Sequence, residues 1–316
     1  MSLLLETFLN LIRKPVTRVE KDFFLPANHN LESTPLVQAP IAKFARGIPA
    51  FIGNNYKDLK LNADKELKEI IGNPGKNSWV SCKECSICAE VCPTNAIRSD
   101  EINLQIDYGA CLQCGLCVDE CPSKNLVNSG FVDVYSDNRS ELVVDYNKEK
   151  FEPSFHSENS SDSEYLEFKE KIGNKGFNFR EVCAGSNTGV EWELGACYNN
   201  VFDMESIGVR AVASPKHADV LLIAGSMTDA MIKPSKLAWD TMPSPKLIVA
   251  IGTDAVQSAS QNTEMYPHTP GYWIAGDPPR PDTIVRAFRT LMGRSHFKFR
   301  LAWHSYLQEK NKELSK

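Results

Sequence analysis

No stretch of the 316-residue sequence reaches the roughly 18 consecutive apolar residues that a membrane-spanning helix needs. The chain is therefore expected to be soluble in itself. It also lacks a basic excess: 35 Lys and Arg stand against 40 Asp and Glu, a net charge of -5. Phosphate backbones call for surplus positive charge, so nucleic acid is excluded as the main partner. There is no G-x-G-x-x-G turn, no phosphate loop and no Ser–His–Asp set. No substrate chemistry, and no catalytic residue, is expected in this chain. The opening MSLLLETFLNLIRK lacks the basic start and small-residue cleavage site of a secretory signal. Instead Leu4, Leu5, Phe8, Leu9 and Ile12 recur at helical spacing. They predict an amphipathic helix that packs on its own domain or lies on a membrane surface or membrane subunit.

What the sequence does have is cysteine, concentrated in one place. Eight of the ten cysteines fall between 82 and 121. They form C-x2-C-x2-C-x3-C-P twice: Cys82, Cys85, Cys88 and Cys92, then Cys111, Cys114, Cys117 and Cys121. Such crowding marks thiolate ligands in a reducing compartment, not disulfides. Three closely spaced thiolates can cap three irons of a cuboidal cluster, with a remote thiolate on the fourth, and in two-cluster proteins the fourth Cys of each run serves the other cluster. The spacing therefore predicts two [4Fe–4S] clusters. Cys82, Cys85, Cys88 and Cys121 would hold the first; Cys111, Cys114, Cys117 and Cys92 would hold the second. Zinc sites pair C-x2-C with another pair at a distance, not three cysteines in a row followed by C-P. Apolar neighbours such as Ile87, Ala96, Ile97 and Leu116 would shield the clusters from water, a lever on reduction potential.

Along the chain, residues 1–76 read as the N-terminal helix followed by an irregular, proline-punctuated docking segment with a short helix over Asp64–Ile71. Residues 77–130 form the cysteine-rich domain. Residues 131–176, with the run SFHSENSSDSEY, read as an acidic linker. Residues 177–316 alternate strand and helix: Val209–Ala213, VLLIAG (Val220–Gly225) and KLIVAIG (Lys246–Gly252) read as strands, the last two buried and parallel, and Pro281–Gln308 reads as one long terminal helix. The fold expected is an α+β two-cluster ferredoxin domain followed by an α/β, flavodoxin-like domain with a parallel sheet.

The cysteine block resembles the two-cluster ferredoxin subunit of energy-converting [NiFe] hydrogenases, formate hydrogenlyase and respiratory complex I. LNLIRKPVTR (Leu9–Arg18) and FARGIPAF (Phe44–Phe51) resemble that family's membrane-docking N-terminus. The resemblance implies that the N-terminal helix lies against membrane-arm subunits, on the cytoplasmic side of the membrane, with the chain peripheral.

REVCAGSNTGVEWE (Arg180–Glu193), SPKHADVLLIAGSMTDAM (Ser214–Met231), IGTDA (Ile251–Ala255) and AGDPPRPDTI (Ala275–Ile284) resemble the [NiFe]-hydrogenase small subunit and its complex I 20 kDa counterpart. In that family four cysteines on these loops bind the cluster nearest the active site. The resemblance puts those positions at Asn187, Val190, Asp254 and Asp277, where no thiol remains. Asn and Asp are poor ligands for such a cluster and Val is none. A polar hydrogen-bonded pocket would fill the place, or a hard ion such as magnesium on Asp254, Asp277 and Asn187. Cys183 and Cys197 read as buried thiols, with a disulfide between them as the alternative, and His217 as a hydrogen-bonded structural histidine. The resemblance implies a natural fusion of two subunits, with a hydrogenase large subunit-like protein and membrane-arm subunits as partners. Its role would be electron transfer without substrate chemistry of its own. The alternatives are a structural scaffold in an ion-translocating or transport assembly that has lost hydrogenase chemistry, and an active hydrogenase small subunit.

Overall fold

The computed structural model describes residues 46–52, 82–150, 152–156, 163–172 and 175–314. The helices expected at the N-terminus and over Asp64–Ile71 lie outside them. Among the described residues no helix is long and apolar enough to cross a membrane.

The cysteine-rich part is built around two small antiparallel pairings. Strand β1 (Pro49–Phe51) pairs with β4 (Leu126–Asn128). A four-stranded antiparallel sheet runs β2 (Ile97–Ser99), β3 (Asn103–Asp107), β6 (Val143–Asn147), β7 (Pro153–Phe155). One-turn helices α1 (Ile87–Glu90) and α2 (Leu116–Asp119) carry the third cysteine of each motif. They are too short to stand alone and are held by the loops around them.

The larger sheet has six strands in the order β5 (Tyr135–Ser136), β12 (Tyr272–Ile274), β11 (Leu247–Ile251), β10 (Val220–Gly225), β8 (Phe177–Gly185), β9 (Val209–Ala211). All neighbours are parallel except β5, which pairs antiparallel with β12. Taking the five parallel strands in chain order, the spatial order is 2-1-3-4-5, a common doubly wound arrangement whose ligands sit at the carboxyl ends of the strands. Every residue of β10 and β11 is buried, as expected of strands covered on both faces by helices. The helices are α3 (Ser163–Ile172), α4 (Gly189–Ala196), α5 (Asp229–Thr241), α6 (Thr253–Gln261), α7 (Pro281–Leu291) and α8 (Phe299–Leu314). At the end of β10, Gly225 has φ +79°, and a Cβ there would stand 2.2 Å from the Ser186 nitrogen. Only glycine allows β8 and β10 to approach so closely at their carboxyl ends.

Two expectations are corrected. The stretch 131–176, read as a linker, contributes β5 to the large sheet and β6 and β7 to the small one, plus α3. The reason is a period-2 apolar set, Leu142, Val144 and Tyr146, all fully buried, which outweighs the polar residues between them. The terminal helix is not continuous over Pro281–Gln308. It breaks between α7 and α8, where Gly293 turns to φ +72° and its N–H caps the Thr290 carbonyl at 2.9 Å.

The two parts share one interior. Asp133, 1% exposed, receives Arg286 from α7 through Nη2 at 2.8 Å and Nε at 3.0 Å, with Thr283 Oγ1 donating at 2.9 Å. Helix α8 returns over the small sheet. Trp303 is fully buried, its Nε1 donates to Tyr146 Oη at 2.7 Å, and Tyr306 donates to the Ser129 carbonyl at 3.1 Å.

Candidate metal centres

The first four thiols meet in one place. Cys82, Cys85, Cys88 and Cys121 line a single cavity together with Phe51, Leu104, Pro122, Ser123, Asn125 and Leu126. The sequence motif groups them through crossed ligation, and the fold brings these four together. Burial pushes the Cys88 thiol up to about 12, reinforced by Cys121, Cys82 and Cys85. A desolvated group of mutually repelling thiolates needs protons or a metal to be stable.

The second set gathers likewise. Cys117 is raised by burial and then by Cys111, Cys88, Cys114 and Cys92. Burial carries Cys111 to about 12, opposed by a Gln113 N–H and assisted by Cys92 and Cys114. Cys88 and Cys117 feel one another, so the two sets adjoin. Each set also has a cation near it. Lys148, buried, acts on Cys82, and Arg46 donates from Nη1 to the Cys114 carbonyl.

The donor set fits an iron–sulfur cluster. The first cavity offers four thiols, no carboxylate and otherwise mainly apolar walls. Its other notable polar group is Asn125, 0% exposed, with neither Nδ2 nor Oδ1 hydrogen-bonded among the described residues. Burial raises the Cys82 thiol, and the Asn125 side chain facing it opposes that rise without completing a regular hydrogen bond. The cysteine motif alone does not single out Asn125. Aligning the two copies does, because C-P-T-N-A (92–96) ends in alanine where C-P-S-K-N (121–125) ends in asparagine.

The second set abuts the large sheet. Thr253 Oγ1 of α6 donates to the Cys111 carbonyl at 3.3 Å, and Gln257 Nε2 donates to the Thr94 carbonyl at 2.9 Å. One residue beyond Thr253 is Asp254, one of the four positions identified by the small-subunit resemblance. Those positions lie at the carboxyl ends of the parallel strands, and they meet. Asn187 Nδ2 donates to Asp277 Oδ1 at 3.3 Å while its Oδ1 accepts the Gly189 N–H at 2.9 Å. Asp254 has its pKa raised by partial burial and by the Asp277 charge. Val190 is buried against Gly252, where a Cβ would come within 2.7 Å of Val190 Cγ2. No thiol is among them.

Cys197 is fully buried and donates to the Glu193 carbonyl at 3.3 Å. Cys183, by contrast, is exposed on β8 because its side chain falls on the open face of that strand's carboxyl end. It lies with Glu181 and Glu191, their ligand atoms within 4.8 Å of one another. Both cysteines are free, so the disulfide alternative does not hold. His217 is exposed in the turn before β10, where its main-chain carbonyl accepts from Asn178 Nδ2 at 3.1 Å.

Comparison with known proteins places these features. Residues 81–125 match the 4Fe-4S dicluster domain, and residues 187–291 match the NADH ubiquinone oxidoreductase, 20 Kd subunit. Formate hydrogenlyase subunit 7 of Escherichia coli is 31% identical over 46% of this chain and 59% of its own length. The probable membrane-bound hydrogenase subunit mbhJ of Pyrococcus furiosus is 32% identical over 33% of this chain and 66% of its own. The chain thus spans less than two thirds of the length of these two relatives. An NADH-quinone oxidoreductase subunit of a Hydrogenobaculum species is 30% identical over 36% of this chain and 68% of its own. With a 4Fe–4S ferredoxin domain ahead of it, the α/β part makes this chain a member of the family of the 20 kDa subunit of NADH ubiquinone oxidoreductase.

Proposed function

We propose that this chain is an iron–sulfur electron-transfer subunit in the peripheral arm of a membrane complex related to complex I and the energy-converting hydrogenases. It unites in one polypeptide a two-cluster ferredoxin and a small-subunit-like domain that has lost its own cluster. Cys82, Cys85, Cys88 and Cys121 hold one [4Fe–4S] cluster; Cys111, Cys114, Cys117 and Cys92 hold the other. The clusters supply one-electron storage at two adjoining points. The chain's own residues fix the thiolates, exclude water and set the surroundings. The observation that carries the reading is the grouping of four cysteines from both motif copies around one cavity. Its partners are a hydrogenase large subunit-like protein and membrane-arm subunits, reached on the cytoplasmic side through the N-terminal segment.

The third cluster is read as lost because Asn187, Val190, Asp254 and Asp277 present no thiolate, and an Asn187–Asp277 hydrogen bond occupies the place where ligands would converge. That same feature favours a second reading, a scaffold in an ion-translocating or transport assembly whose hydrogenase chemistry is gone. Nickel in the purified complex would favour the hydrogenase form; its absence would favour the scaffold.

The test is iron and electron paramagnetic resonance on the purified full-length chain. Two four-iron clusters per chain are expected. Cys88→Ala should abolish the first cluster's signal and cut iron by half or more, because the crossed ligands tie the two sites into one folding unit. A Cys88→Ala protein with both signals intact would contradict the ligand assignment, and iron for a third cluster would contradict the loss.

A further inference from the structure

The two halves of the ferredoxin part are built alike around the fourth cysteine. Cys92 Sγ lies 3.7 Å from Thr94 Oγ1, and Cys121 Sγ lies 3.6 Å from Ser123 Oγ. The next residue is left-handed in both, Asn95 at φ 53° and Lys124 at φ 52°. The N–H of that residue donates to the cysteine carbonyl at 3.2 Å in both. The fifth residue also plays the same main-chain part. The Ala96 carbonyl accepts the Asp107 N–H at 2.8 Å, and the Asn125 carbonyl accepts the Ile52 N–H at 3.0 Å. The equivalence fails at two points: the Ala96 N–H also donates to Cys92 Sγ at 3.3 Å, and the side chain is alanine in the first copy, asparagine in the second.

That difference places a polar amide where the repeat's other half has a methyl group. Asn125 is sealed from solvent, both of its amide atoms are unpartnered, and it lines the cavity of Cys82, Cys85, Cys88 and Cys121. A buried amide without a partner is costly, so native proteins satisfy it. What this cavity offers is sulfur, and thiolate or sulfide sulfur can only accept. The amide nitrogen is thus the atom suited to face it.

We infer that Asn125 is a tuning residue for the first cluster, its Nδ2–H donating to the sulfur of Cys82 or of the cluster itself and raising that cluster's reduction potential above the value alanine would give. Hydrogen bonds to sulfur stabilise the more negative, reduced state. The second cluster, with Ala96 at the matching place, lacks this donor. At this position of the repeat the two sites are thereby made unequal, the first facing a side-chain amide and the second the Ala96 main-chain N–H, 3.3 Å from Cys92 Sγ. This inference rests on the two-cluster reading above.

The experiment is a redox titration of the full-length chain, followed by electron paramagnetic resonance, on wild type, Asn125→Ala and Asn125→Leu. Asn125→Ala copies what the first half of the repeat already tolerates; Asn125→Leu keeps the volume without the donor. Cys114→Ser identifies the second cluster's signal. Both Asn125 variants should keep both signals and lower the first cluster's potential alone. A shift of roughly 59 mV is expected, the equivalent of about tenfold in the one-electron equilibrium. Unchanged potentials in both variants would overturn the inference, as would equal shifts in both clusters, or a shift in Asn125→Leu absent from Asn125→Ala. A wild-type chain with iron for only one cluster would instead remove the two-cluster reading beneath it.

Discussion

At the scale of single residues, the cysteines are legible from spacing alone, since the chemistry of a cuboidal cluster dictates the pattern. Asn125 is not, because a buried amide carries no sequence mark until the two copies are compared. The carboxylates at the strand ends show how such positions titrate. Asp254 has its pKa raised, by partial burial first and then by Asp277. A carboxyl whose folded pKa exceeds its unfolded one contributes stability that is full below the unfolded value and is lost as pH rises through the folded one. At neutral pH the ionised pair is therefore a mild burden. Asp254→Asn should stabilise the chain at pH 7 by no more than about 1 kcal/mol, since solvent screens a side chain this exposed. The gain should disappear below the carboxylate range. Thermal unfolding at pH 7 and pH 3.5 measures it, and a variant less stable at pH 7 would show that the Asp254 carboxylate is required in its charged form.

At the scale of elements, the strands that are buried on both faces are readable as continuous apolar runs. VLLIAG and KLIVAIG are β10 and the segment around β11. The strands that escape a reading of the sequence are the short ones. Tyr135–Ser136 has two residues and no period to detect, and the brief period-2 set around Val143–Asn147 does not stand out in a polar stretch until β3 and β7 pair on either side of it. Local pattern cannot announce a partner more than thirty residues away. The terminal helix reads as too long for a related reason: one glycine inside a helical pattern is tolerated in general, and only the chain's path shows that Gly293 ends α7. At φ +72° a Cβ meets just the Lys169 Cε, at 3.5 Å, so strain and not crowding decides the outcome. Gly293→Ala should cost about 1 kcal/mol, read as a lower urea midpoint with unchanged slope. A midpoint equal to wild type would mean that the turn relaxes without penalty.

At the scale of the whole molecule, two contacts make one body from two sequence blocks. The first is the Asp133–Arg286 pair, which fastens the chain leaving the cysteine motifs to α7. Asp133→Ala strands a buried guanidinium, and breaking such a pair costs about 3–5 kcal/mol; Asp282 Oδ2, 3.1 Å from Arg286 Nη2, keeps the loss towards the lower figure. Adding Arg286→Met should recover part of it, because the orphaned charge leaves as well. Chemical denaturation of both variants checks this, and a double variant no better than the single would show that geometry matters there more than charge. The second contact is α8, whose Trp303 and Tyr306 stack at 5.1 Å and cap the interior between Phe131, Tyr108 and Tyr146. This has a bearing on biosynthesis. The segment that carries the eight clustered cysteines is made well before the one that closes its domain, since Cys121 precedes Phe299, the first residue of α8. The cysteine-rich part therefore stays open to iron–sulfur assembly until α8 has been made, and a chain lacking α8 would lose the wall of a site that lies far earlier in the sequence.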